Sequence, residues 1–234
     1  AQALRREHLA EDARLPKLLR DYGQGSFNFG NLQLERNELD AAREQLETAV
    51  RSFEKLIEIE PDDMEAQLNL ALAFRVLGDV APIDDGIEPA LNYYHRAIDY
   101  LAALSLRNPQ VPRYRADLAG TRITLAQLLL EDDQLGAAAL ALAKPIESFE
   151  ALVEQYADVP TYRSELAFAL RLRGETLLDS GEAEAARRDL KRAIGELEKL
   201  TAQFPTDGEY GERLGEIRTI LESLDKEADD AEQQ

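Results

Sequence analysis

The sequence has no cysteine and no tryptophan, one methionine and two histidines. Without cysteine there is no disulfide and no thiolate metal site, and nothing in cysteine usage marks a redox compartment. His8 and His95 lie in separate segments. Each reads as a satisfied surface or interface histidine rather than a base or a ligand. Long apolar runs are also missing. The longest unbroken one, Ala137 to Ala143, is far short of a membrane span. The opening residues AQALRREHLA contain no apolar signal core, so a cytoplasmic location is expected. The chain starts at Ala rather than Met, which suggests a piece of something longer.

Positive charge is scarce. Lys and Arg number 27 against 46 Asp and Glu, a formal net charge of -19. That argues against nucleic acid or an anionic membrane as the main partner, because phosphate binding draws on Lys and Arg.

What the sequence has is repetition, with a period of 48 residues. QVPRYRADLAG at 110–120 returns as DVPTYRSELAF at 158–168. Tyr22, Leu70, Leu118, Leu166 and Leu214 form one column, and Pro16, Pro112 and Pro160 another. Later in each unit come Ala42, Ala90, Ala138 and Ala186, then Leu46, Tyr94, Leu142 and Leu190. The columns headed by Val50, Phe53 and Leu56 follow at steps of 4, 3 and 3, which keeps them on one helical face. Each unit therefore reads as two antiparallel helices joined by a short polar turn such as Arg36-Asn37-Glu38 or Asp179-Ser180-Gly181.

Neither helix can bury its apolar face alone, so the units must stack. The expected fold is all-α, a right-handed superhelical α-solenoid of helical hairpins. The expected division is 1–14, the tail of a preceding helix or an N-terminal cap; 15–60, 61–108, 109–156 and 157–204, four repeats; 205–225, a capping helix; and 226–234, an acidic disordered tail. Pro145 should kink or break the second helix of repeat three. Residues 79–89, DVAPIDDGIEP, replace the ordinary turn of repeat two. They read either as a partner-contact loop or as a wider turn.

The pattern resembles the tetratricopeptide repeat, a helical hairpin with small residues where its helices cross. Phe29-Gly30, Leu77-Gly78 and Gly174 are each followed twelve residues later by Ala42, Ala90 and Ala186. Ala49, Ala97 and Ala193 come seven residues further on. Repeat three departs, with Ala126 for the Gly and Pro145 for the last Ala. The hairpins are longer than the family's usual 34 residues. The wording around Tyr114 and Tyr162 also looks like the long repeats that follow the catalytic domain in some bacterial serine/threonine protein kinases.

Nothing in the chain promises chemistry. GQGSFNFG at 23–30 looks like a kinase glycine-rich loop, but Asn28 stands where a third glycine should, and no H-R-D or D-F-G occurs. Gly30 is the helix-crossing glycine instead. Asp84-Asp85 and Asp132-Asp133 lack the spacing of a calcium loop. No catalytic residue, metal site or cofactor is expected.

The resemblance implies that the first helix of each hairpin lines a concave surface where proteins or extended peptides bind. The residues this places there are Gln24, Phe27, Asn31 and Leu34; Leu72, Arg75 and Asp79; Ile123, Gln127 and Leu130; and Phe168, Arg171, Glu175 and Leu178. Arg75 with Asp79 and Arg171 with Glu175 are i,i+4 pairs. They read either as surface ion pairs or as guanidinium forks for an acidic or carboxylate-bearing segment. The family's lysine clamp for a C-terminal carboxylate is not recovered, since Phe27 stands where it wants Lys. The expected role is a non-catalytic protein-interaction scaffold, a regulatory region of a larger bacterial signalling protein such as a kinase. The alternative is a self-association module that stacks or oligomerises through its repeat ends.

Overall fold

A computed structural model describes the backbone of residues 2–81 and 86–232 and the side chains of residues 14–81 and 86–226. Its regular structure is all helix among the described residues: α1 (Gln2–Glu35), α2 (Leu39–Ile59), α3 (Met64–Asp79), α4 (Glu88–Arg107), α5 (Pro112–Glu131), α6 (Leu135–Ala141), α7 (Ala143–Gln155), α8 (Pro160–Asp179), α9 (Ala183–Gln203) and α10 (Gly208–Glu232). They fall into two compact units, residues 1–114 and 115–234. This is an all-α solenoid of helical hairpins. No helix among the described residues is long and apolar enough to cross a membrane.

The hairpins close the same way wherever their turns are described. Asn37, Asp133 and Gly181, all on the 48-residue grid, take left-handed backbone with φ of 60°, 59° and 80°. In each turn the next N–H reaches back five residues, Glu38 to Gln33, Gln134 to Leu129 and Glu182 to Leu177. This satisfies carbonyls that the helix end would leave bare. The turn of repeat two falls within residues 79–89, of which 82–85 lie outside the described residues. There α3 is 16 residues long, against 20 for α5 and α8.

In unit 1, α2 buries Ala42, Leu46, Ala49, Val50, Phe53 and Leu56. Leu70, Ala73, Phe74 and Leu77 of α3 join Leu46, Val50 and Phe53 in one core. Arg20 ties α1 to the start of α3, bonding Asp63 at 2.6 Å and Glu60 at 2.9 Å. Asp63 also caps α3 by accepting the Ala66 N–H at 3.0 Å. Burial pushes the Asp63 carboxyl up, but Arg20 and the Ala66 N–H prevail and hold it below the usual range. On α4 and α3, Tyr93 and Tyr100 each stack on Phe74 at 6.3 Å, with the Arg96 guanidinium 3.9 Å from the Phe74 ring centre.

The helix crossings explain the small-residue column. A Cβ on Gly30 would lie 3.0 Å from Leu46, one on Gly78 2.8 Å from the Tyr94 ring, and one on Gly174 2.9 Å from Leu190. In repeat three Ala126 and Leu142 hold these places, both fully buried in the core of unit 2. There α5, α6–α7, α8, α9 and α10 share a core that includes Ile123, Ile146, Phe149, Leu166, Leu170, Leu197 and Ile217.

Pro145 does break its helix. The chain leaves α6 at Ala141 and resumes as α7 at Ala143. Proline has no N–H to give to Ala141, and its ring crowds that carbonyl. Yet Ala138, Leu142 and Ile146 stay buried on their grid positions. Because the register survives the break, Pro145→Ala is expected to join α6 and α7 and stabilise unit 2 by about 1–2 kcal/mol. Urea unfolding and helical circular dichroism check this; unchanged stability and helicity contradict it.

Two expectations change at the chain's ends, and one column is uneven. Residues 1–14 are not a separate element, because α1 runs unbroken from Gln2 through Pro16 to Glu35. Proline removes a single N–H, and the residues on both sides continue the helix. At the other end α10 reaches Glu232, so the stretch read as a disordered tail is helical through 226–232. Finally, Tyr22 sits on the column of Leu70, Leu118, Leu166 and Leu214, which are buried, but is itself 63% exposed. That column faces a neighbouring hairpin in α3, and no described residue covers it in α1.

Candidate functional site

The first-helix faces differ between the units. In unit 1, Phe27 and Leu34 are half-buried and pack on the edge of the core. Asn31 lies half-buried on the same α1 face, and Gln24 donates to Asn28 at 3.0 Å. On α3, Leu72 and Arg75 are half-buried. Asp79 accepts the Tyr94 hydroxyl at 2.6 Å. Desolvation pushes the Asp79 carboxyl above the usual carboxylate range, against the pull of that hydroxyl and of Arg75 nearby. Arg75 makes no ion pair with Asp79, and its buried Nε has no hydrogen-bond partner among the described residues. The hydroxyl of Tyr94 occupies one oxygen of the Asp79 carboxylate, and Arg75 acts on it only through its charge.

In unit 2 the same column is occupied differently. Ile123 is 3% exposed and belongs to the core, while Gln127 and Leu130 are half-buried. Phe168 and Leu178 pack half-buried against that core. Arg171 bonds Glu175 at 2.8 Å, the expected pair, and also Glu216 of α10 at 2.5 Å. Desolvation works against the Arg171 charge, but the two carboxylates prevail and hold it protonated more firmly than usual. So the guanidinium of unit 2 is engaged inside the unit, and that of unit 1 is not.

The Tyr-Arg pair at 162–163, and the tyrosine that recurs at 210, make packing contacts inside unit 2. Tyr162 meets Tyr156 edge-on at 6.2 Å, and Tyr210 meets Phe204 at 6.1 Å. Arg115 donates to Gln155 at 2.7 Å, and Arg163 bonds Glu196 with both side chains largely buried. One strong polar contact had no sequence signal beyond its charges. Arg173 grips Asp189 with two bonds of 2.6 and 2.9 Å beside the Gly174 crossing, and Asp189 is buried. The pair joins α8 to α9, and both side chains also line an open cavity with Arg188 and Arg192. His95 is exposed on α4, and His8 lies outside the described side chains. Among the described residues no three His, Cys, Asp or Glu side chains converge as metal ligands.

No family model and no curated protein matches the sequence. Among solved structures, the yeast histone chaperone Hif1 shares the fold with a TM-score of 0.58 and 14% identity, over 89% of this chain and 97% of its own. It is described as a scaffold protein recruiting protein complexes to core histones. The thermophilic TPR protein TTC0263 of Thermus thermophilus is 16% identical over 84% of this chain and 99% of its own, with a TM-score of 0.41. With its glycine crossings and repeated left-handed turns, the chain is an α-helical repeat protein.

Proposed function

We propose that the chain is a non-catalytic protein-interaction scaffold, and that the first-helix face of unit 1 receives an extended peptide segment. The observation that carries this is Arg75, a half-buried guanidinium that makes no ion pair among the described residues, on a helix face where its counterpart Arg171 bonds two carboxylates. A half-buried guanidinium that no carboxylate pairs can meet an incoming carboxylate in a charge-assisted bond. Phe27 and Leu34 offer apolar shelves on the adjoining first helix of the unit. The net charge of -19 disfavours a polyacidic ligand. The segment that fits therefore carries one Asp, Glu or terminal carboxylate among neutral, apolar or basic residues. A regulatory place in a larger bacterial signalling protein such as a kinase rests on the Val-Pro-x-Tyr-Arg wording alone.

Selection from a displayed library of twelve-residue peptides tests the reading. Peptides enriched on the native chain should share one acidic residue beside an apolar one. Arg75→Ala should abolish that acidic preference with helical circular dichroism unchanged. Arg171→Ala should leave the preference in place. If Arg75→Ala selects the same peptides as the native chain, the proposal fails.

A further inference from the structure

One face of α1 is uncovered. Leu15, Leu18, Tyr22, Phe29 and Leu32 are 45%, 62%, 63%, 47% and 40% exposed, and Gly25 completes the row. The spacings are 3, 4, 3, 4 and 3, the seam of a helix that lies along another. From Leu18 onward, the same register positions one repeat later are Ala66, Leu70, Ala73, Leu77 and Val80, all buried. By its place in the repeat this is a packing face, not a scatter of surface residues.

Gly25 points to what covers it. Of the three glycines in this part of α1, Gly23 lies against the Phe53 ring and Gly30 against Leu46. A Cβ on Gly25 would meet nothing within 4 Å. Glycine inside an exposed helix is unfavourable, and no contact among the described residues accounts for this one.

The row is its own complement. Laid antiparallel on a second copy, with the two-fold axis between residues 23 and 24, each residue meets the one whose number completes 47. Leu15 falls on Leu32 of the second copy, Leu18 on Phe29, and Tyr22 on Gly25. The Tyr22 ring thus meets the one place in the seam with no side chain. This is the reciprocal pairing that an isologous interface requires. Charge permits it as well. Residues 22–34, YGQGSFNFGNLQL, contain no Asp, Glu, Lys or Arg in a chain where 31% of residues are charged. Two copies of this otherwise acidic protein can meet there without like charges facing each other.

We propose that the protein forms a two-fold homodimer through α1, with the Tyr22 of each copy seated over Gly25 of the other. The seam from Leu15 to Leu32 is about 26 Å long at 1.5 Å per residue and about one helix wide. That footprint lies at the low end for specific interfaces, so the expected dimer is a weak one that exchanges with monomer. Because both copies are acidic, added salt should tighten it. The inference uses none of the residues around Arg75 and stands or falls apart from the peptide reading.

Sedimentation equilibrium of the full 234-residue chain from about 1 to about 200 µM, a range suited to a weak dimer, is the test. The mass should rise from 26.2 kDa towards twice that value. Phe29→Glu, and separately Leu18→Glu, should weaken association more than tenfold with helical circular dichroism unchanged. Because the chain has no cysteine, orientation can be read directly. Leu18→Cys mixed with Phe29→Cys should cross-link with a short bismaleimide, and either variant alone should not. Self-pairs in this arrangement lie about 16 Å apart along the helix. A monomer at every concentration overturns the proposal, and so does a dimer indifferent to both glutamates. Leu18→Cys cross-linking to itself overturns the antiparallel register.

Discussion

Phe53→Ala is expected to lower the stability of unit 1 by about 3–5 kcal/mol, read as a fall in the urea midpoint of its unfolding. Phe53 is fully buried, and its ring fills the space opposite Gly23, where an added Cβ would lie 2.9 Å away. The glycine has no side chain with which to close the cavity. A second consequence makes the test sharper. Gly23→Ala alone should destabilise, because the new methyl strikes the ring. In the Phe53→Ala background the same substitution should stabilise by about 1 kcal/mol, since the methyl then has room and alanine favours the helix. That change of sign is a coupling only touching residues show. Additive effects would mean that α1 and α2 do not cross as described.

Gly78→Val is expected to cost about 3 kcal/mol in the same measurement. A Cβ at Gly78 would lie 2.8 Å from the Tyr94 ring. At Gly174 the neighbours are Cδ2 and Cγ of Leu190, a side chain held by packing alone, whereas Tyr94 is held at both ends. Its ring is buried, and its hydroxyl donates to Asp79 at 2.6 Å. To admit a valine, the ring must leave its place and release that bond. Gly174→Val should therefore be milder than Gly78→Val, although its added Cβ lies almost as close to its neighbour, at 2.9 Å. Equal losses would show that the Tyr94–Asp79 bond does not hold the ring.

The hairpins were legible because their cores are periodic. Leu46, Tyr94, Leu142 and Leu190 share a column and are all buried. The break at Leu142 followed from Pro145, whose missing N–H is a local fact. The ends were less legible. Pro16 stands in the same column as Pro112 and Pro160, which open helices, yet at Pro16 the helix continues, because what precedes it is helical too. Column position alone could not decide that. The candidate site was legible only as a list of positions. Arg75 and Arg171 are equivalent by spacing, but Glu216 of α10 reaches one of them, and Tyr94 occupies one oxygen of the carboxylate beside the other. Ile123 shares their column and is core. Equivalence in sequence fixes where a side chain leaves the helix; its neighbours from other helices decide what it can still bind.

The aromatic residues also decide how the molecule can be watched. With no tryptophan, its near-ultraviolet fluorescence is dominated by eight tyrosines. Those of unit 2 are Tyr156, Tyr162 and Tyr210, all three in ring pairs at hairpin junctions. In unit 1, Tyr93 and Tyr100 flank Phe74 under the Arg96 cation. Such fixed rings give a chiral optical signal that vanishes when the packing loosens, even while the helices persist. A single tryptophan introduced into either unit would glow against a dark background and report that unit alone.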